Sequence, residues 1–297
     1  MTVNTKELDF QKAVNKVSAT TILGNVLLSA LKLIAGVFGH SGAMISDAVH
    51  SLSDVITTVI AWLGVRLSKK QADKEHPYGH DRFECLASLI LGALLLVTGI
   101  MIGYTGLKKI FAGNYQDLAI PGTIALIAAI VSIVVKEGMF WYTRYYAKKL
   151  NSAAFMADAW HHRSDALSSI GSFIGIGGAM LGYPILDPVA SVAIAVCIIK
   201  VSYDIYKDAV SKIMDTACDE KTEDEIREFI RSQDGVVRLD MLHTRLFGNA
   251  IYVDAEIAAD ADLNLRQAHE IAERVHIGVE NNFENVKHVM VHVNPAD

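Results

Sequence analysis

The chain has 297 residues, 52% of them hydrophobic and 20% charged, with a mean hydropathy of +0.30. Those values are unusual for a soluble protein and ordinary for a membrane-embedded body with a soluble appendage. The net charge of −6 hides an asymmetry: residues 1–209 carry 18 Lys/Arg against 15 Asp/Glu, residues 210–297 only 9 against 18, and so acidic a tail argues against a nucleic-acid partner.

In chain order, Met1–Lys16 is polar rather than a short basic-then-apolar leader, so the first apolar run is expected to be retained as a helix. Six apolar stretches follow, at about 19–38, 43–67, 86–110, 118–140, 153–181 and 185–205. Each approaches the roughly 20 helical residues needed to cross a hydrocarbon core. The loops Gly39–Gly42 and Gly182–Asp187 carry no Lys or Arg. The loop after the second stretch carries Arg66, Lys69, Lys70, Lys74 and Arg82, and the one after the fourth carries Arg144, Lys148 and Lys149. Lys108 and Lys109 are the exception to a pattern that puts both termini in the cytoplasm. Lys136 and Lys200 are expected to snorkel towards a cytoplasmic end. Lys32 has no such escape and is expected to pair with an acid.

Near residue 210 the hydropathy falls, which divides the chain into 1–209 and a domain at 210–297. Thr222–Glu225 reads as a capping box opening a helix that ends near Gly235. Residues 236–247 and 250–259 alternate as strands joined through Gly248–Asn249. A helix at 264–283 and a strand at 286–294 complete an αββαβ order, a two-layer α+β domain.

The chemistry lies in a repeated phrase. Ser46–Asp54 reads SDAVHSLSD and Ala157–Asp165 reads ADAWHHRSD, identical at five of nine positions, and both lie within apolar stretches. At 3.6 residues per turn, Asp47, His50 and Asp54 share one helix face, as do Asp158, His161 and Asp165. Ionisable groups inside a spanning helix cost roughly 2.5–3.5 kcal/mol each on insertion scales, so they face one another or a polar path. His50, Asp54, His161 and Asp165 offer two imidazoles and two carboxylates, a donor set for a tetrahedral cation of borderline softness, Zn²⁺ first. An all-oxygen set would suit Mg²⁺ or Ca²⁺. Asp47 and Asp158, one turn before the histidines, read either as further ligands or as capping or hydrogen-bonding groups behind the ligands. His162 points away from His161 and is expected between helices or at the headgroups. Cys85, Cys197 and Cys218 form no CxxC pair.

Six apolar stretches, HxxxD in the second and fifth, a His-bearing loop and an acidic αββαβ tail together resemble the cation diffusion facilitator family over nearly the whole chain. The resemblance implies a homodimeric, multi-pass metal/proton antiporter of the cell membrane whose transport site is His50, Asp54, His161 and Asp165, with zinc carried and cadmium accepted, and no organic cofactor. Asp73, His76 and His80, in the loop Asp73–Glu84, match the family's second metal site. In the tail, His269 and His292 match the family's cytoplasmic ligands. Asp240 and Asp254 stand where some members have histidines, and Asn294 replaces a bridging Asp, which leaves a carboxylate-rich version of that site. His243, His276 and His288 read as ordinary surface residues.

The expected activity is export of a divalent cation, Zn²⁺ in exchange for protons. A manganese or iron exporter of the same family is the alternative, and a membrane-anchored metal sensor is the rival from another class. No Walker loop, HExxH or GxSxG is present to support an enzyme.

Overall fold

Lys32, Asp54, Lys136, Asp158, His162 and Asp165 are buried, while Leu23, Leu27, Ile34, Val97, Ile100, Met101 and Val134 are exposed. Water-soluble domains bury the second set and expose the first. The inversion is stable only where the outer surface meets hydrocarbon, and there helices suit best because they satisfy every backbone polar group internally.

The computed structural model describes residues 5–38, 42–112, 123–180, 183, 185–283 and 285–296. They form two compact units, residues 1–209 and 210–297. The first is helical, in the order α1 (Thr5–Phe38), α2 (Gly42–Ser68), α3 (Arg82–Ala112), α4 (Thr123–Lys149), α5 (Ala153–Met180) and α6 (Leu186–Ile213). Each expected apolar stretch falls on one of these helices; the parts at 118–122 and 181 lie outside the described residues. Helices α1, α3, α4 and α6 outrun the hydropathy signal, α4 by nine residues, because their polar ends continue the same backbone hydrogen bonding beyond the apolar run. Four of them contain described stretches long and apolar enough to cross a membrane, at Asp9–Ile34, Ser51–Ser68, Arg82–Ala112 and Pro188–Ile213.

Helix α1 packs along α2 and α4 along α5, while α2 also meets α3 and α5. Small side chains allow the close approach. Val14 and Val17 of α1, Ala61 and Val65 of α2, Ala87 and Leu91 of α3, and Ala154 and Phe155 of α5 form one buried cluster. Trp62 Nε1 donates to Asn15 Oδ1 at 2.9 Å and ties α2 to α1.

The second unit runs α7 (Glu220–Arg231), β1 (Arg238–Phe247), β2 (Ala250–Asp260), α8 (Leu265–Asn282) and β3 (Val286–Ala296). The sheet order is β1-β2-β3, with β1 antiparallel and β3 parallel to β2. Gly248, at φ 66°, takes the tight turn between β1 and β2. Helix α8 is the crossover that a parallel return requires. Ile226 and Ile230 of α7 and Ile271, Val275 and Val279 of α8 recur four apart and meet Val253, Ala255 and Ile257 of β2. Helix α7 starts earlier than the Thr222–Glu225 box implies. Asp219 is its N-cap, accepting from Thr222 N at 3.0 Å and Thr222 Oγ1 at 2.7 Å, so Thr222 is a donor rather than the cap. Those two bonds hold the Asp219 carboxyl below its usual range. The full capping box belongs to α8, between Asn264 and Gln267.

Gly64 on α2 comes so close to α3 that a β-carbon there would collide with the Ala87 β-carbon. Gly64→Ala gains helix propensity worth up to ~1 kcal/mol, but overpacking against a β-carbon that cannot rotate away costs about 1–3 kcal/mol and wins. The melting temperature of the purified protein should therefore fall, and adding Ala87→Gly should restore most of it. An unchanged melting temperature for Gly64→Ala would contradict this helix contact.

Candidate metal centre

Helices α1, α2, α4 and α5 each send polar side chains to one buried point. From α2 comes Asp54 and from α5 come His161 and Asp165, and one ligand atom from each lies within 4.8 Å of the others. Asp54 is 1% exposed and His161 6%. His161 Nε2 stands 3.4 Å from Asp54 Oδ1. His50 and Asp47 lie on α2, but their side chains are outside those described. Asp158 does not join the group. Its Oδ1 accepts from Thr57 and Thr58, each at 3.3 Å, which fastens α5 to α2 one turn from His161. His162 is completely buried, with Nε2 3.6 Å from Asp158 Oδ2, so it sits between helices and not at the headgroups.

The side chain that sequence reasoning misread is Lys136. It does not snorkel: it is 1% exposed, and its Nζ donates to Asp54 Oδ2, to Asp165 Oδ2 at 2.9 Å and to Asn25 Oδ1 at 3.0 Å. The reason is the length of α4. Lys136 stands 13 residues from either end of Thr123–Lys149, about 20 Å along the axis and well beyond the reach of its side chain. The basic run Arg144, Lys148 and Lys149, rather than the end of the apolar stretch, marks where that helix stops. Lys200 is exposed. Lys32, expected to pair with an acid, donates to Ser51 Oγ at 2.8 Å.

Beside the group lies a cavity of about 360 Å³, lined among others by Lys32, Ser51, Ser132, Lys136, Ser168 and Ser169. Hydroxyl groups there can replace part of the water around a cation. The buried charges also constrain one another. Moving a carboxylate into the interior costs several kcal/mol even after relaxation, and two adjacent carboxylates without a cation would be costlier still.

The loop before α3 assembles a second group. Asp73, His76 and His80 bring one ligand atom each within 4.8 Å of one another. Asp73 Oδ1 accepts from Glu75 N at 3.1 Å and His76 N at 2.8 Å, and Gly79, at φ 94°, turns the chain so that His80 comes back beside them. The imidazole rings of His76 and His80 are 4.5 Å apart, and His80 stacks on Phe83. Lys70 Nζ donates to Asp73 Oδ2 at 2.7 Å; that ammonium, with the His76 amide, holds the Asp73 carboxyl well below the usual range.

The tail residues are less gathered. Asp240 is bound by Arg238 Nε and by Asn294 Nδ2 at 3.1 Å, which lowers its pKa. In register, Asp254 faces His243 on β1 and Glu256 lies beside His292 on β3. His269, on α8, lines a surface pocket with Asp260 and Asn294. Among the described residues, the two groups holding Asp54 and Asp73 are the ones with three or more ligand residues in common reach, and Asp240, Asp254, His269 and His292 form no third.

Comparison with known proteins accords with this layout. Residues 18–214 match the cation efflux transmembrane domain, and residues 218–296 match the cytoplasmic domain of cation efflux proteins. The chain is 36% identical to an uncharacterized transporter of Methanocaldococcus jannaschii, over 96% of this chain and 100% of that one. It is 33% identical to metal tolerance protein C1 of Arabidopsis thaliana over 95% of its own length, but spans only 62% of that longer protein. With a manganese efflux system protein of Bacillus subtilis it shares 30% identity over 94% of this chain and 95% of the other. A transmembrane model matching about two thirds of the sequence, and a full-length relative at 36% identity, place the chain in the cation efflux, or cation diffusion facilitator, family.

Proposed function

We propose that the protein exports a divalent metal ion from the cytoplasm through α1 to α6, all six crossing the membrane with both termini inside, and that protons return in exchange. The observation that carries the reading is the meeting of Asp54, His161 and Asp165 deep among apolar helices. His50, one turn before Asp54, completes the proposed site. A set of two imidazoles and two carboxylates favours Zn²⁺, with Cd²⁺ accepted. Four protein ligands leave no open position for a catalytic water, which speaks for carriage rather than chemistry.

Ion and protons use the same atoms, because a ligand carboxylate must be ionised and a ligand imidazole neutral. Export of a divalent ion against an inside-negative potential costs about 4.6 kcal/mol per 100 mV, twice the figure for a single charge. Proton entry offsets part of it. Asp73, His76 and His80 would hold a second ion in the loop. The acidic tail would join two chains in a plasma-membrane dimer, with His269, His292, Asp240 and Asp254 binding cytoplasmic metal there. Manganese is the second reading, because the Bacillus subtilis relative is named for manganese efflux.

In proteoliposomes with a pH gradient, Asp54→Ala and Asp165→Ala should each abolish Zn²⁺ flux while Cd²⁺ competes with Zn²⁺ in the wild type. Near-normal flux in either variant would remove these residues from the transport site. His50→Asp makes the site richer in oxygen and should move the ratio of Zn²⁺ to Mn²⁺ transport towards Mn²⁺ by about tenfold. An unchanged ratio would show that the ligand set does not govern selectivity.

A further inference from the structure

We infer that the ammonium of Lys136 is a tethered competitor of the transported metal, occupying the carboxylates while the site is empty and leaving them when the ion enters. The inference rests on the assignment of Asp54 and Asp165 as transport ligands. Three observations lead to it. Lys136 Nζ donates to one oxygen of each of those carboxylates, so it takes up acceptor atoms that the ion needs. The side chain is 2% exposed and held at a third point by Asn25 Oδ1, so the arrangement is built and not a surface accident. The cavity lined by Ser51, Ser132, Ser164 and Ser168 adjoins it and includes Lys136 in its wall, which gives the displaced ammonium a hydroxyl-rich place to go.

The charges make the two cations alternatives. Two carboxylates with a divalent ion sum to zero, and with the ammonium they sum to −1, so either cation relieves their burial. Both together leave +1 and set two cations side by side in a low dielectric, where repulsion is weakly screened. The ion therefore binds against the work of moving Lys136. Its affinity is held low enough for release, and the empty carboxylates are never left without a counter-charge.

The test uses the full-length chain in lipid nanodiscs, with His76, His80, His269 and His292 replaced by Ala so that tight binding reports on the membrane-embedded group. Zn²⁺ is titrated calorimetrically at one fixed pH. Lys136→Met keeps the length and loses the charge, and it should bind Zn²⁺ at least about tenfold more tightly, whereas Lys136→Arg should not tighten it. Asn25→Leu loosens the docked ammonium without touching the ligands and should tighten Zn²⁺ binding about three- to tenfold. Lys136→Met that remains folded, by gel filtration and melting, yet binds no more tightly overturns the inference. If that variant does not fold, Asn25→Leu decides: tighter binding supports competition, and unchanged or weaker binding overturns it. Asp165→Asn separates the two levels of argument. Zn²⁺ binding that survives this change defeats the site assignment itself, whereas binding lost here but not tightened by Lys136→Met defeats only the role of the lysine.

Discussion

Two carboxylates, Asp54 and Asp165, stand side by side among apolar helices, and the arrangement around them follows from the need to neutralise them. Lys136 supplies one cation, His161 approaches Asp54 from α5, and Asn25 steadies the ammonium from α1. Each partner comes from a different helix, so the charge cluster also fixes how α1, α2, α4 and α5 pack. Without a hydrophobic drive between helices in lipid, such polar contacts and close small-residue packing hold the bundle together. Asp158 extends the same logic one turn away, where Thr57 and Thr58 satisfy its carboxylate from α2.

A similar device recurs at the loop. There Lys70 sits on Asp73, the carboxylate that faces His76 and His80. In both clusters a lysine covers a carboxylate that a metal would need. The settings differ in what that costs. Lys70 is more than half exposed and can swing into water with little penalty, whereas Lys136 is sealed among helices and must find hydroxyl partners if it moves. The loop pair is thus a weak screen and the buried pair a strong one.

Much of this was legible in the sequence because ionisable residues are rare inside apolar runs, and a repeated Asp-x-x-His-x-x-x-Asp therefore stands out. Alternation and turn residues gave away the tail strands, since Gly248–Asn249 suits the tight turn between β1 and β2 and Gly248 takes the positive φ there. Lys136 was not legible, for a physical reason: hydropathy marks where a run stops being apolar, not where the helix ends, and Trp141–Lys149 continues α4 past that point. The start of α7 was hidden similarly, because Asp219 and Thr222 are both good caps and only the geometry shows which one accepts. His162 differs from His161 by one residue and about 100° of helix rotation, which places it against Asp158 rather than among the ligands.

Anomalous diffraction at the zinc edge from the full-length protein soaked in Zn²⁺ tests the central claim most directly. A peak bounded by Asp54, His161 and Asp165, at about 2.0–2.2 Å from their ligand atoms, is predicted, with Lys136 Nζ beyond hydrogen-bond distance of both carboxylates. Zinc confined to the loop and the tail, with Lys136 still bridging Asp54 and Asp165 at saturating metal, would contradict it.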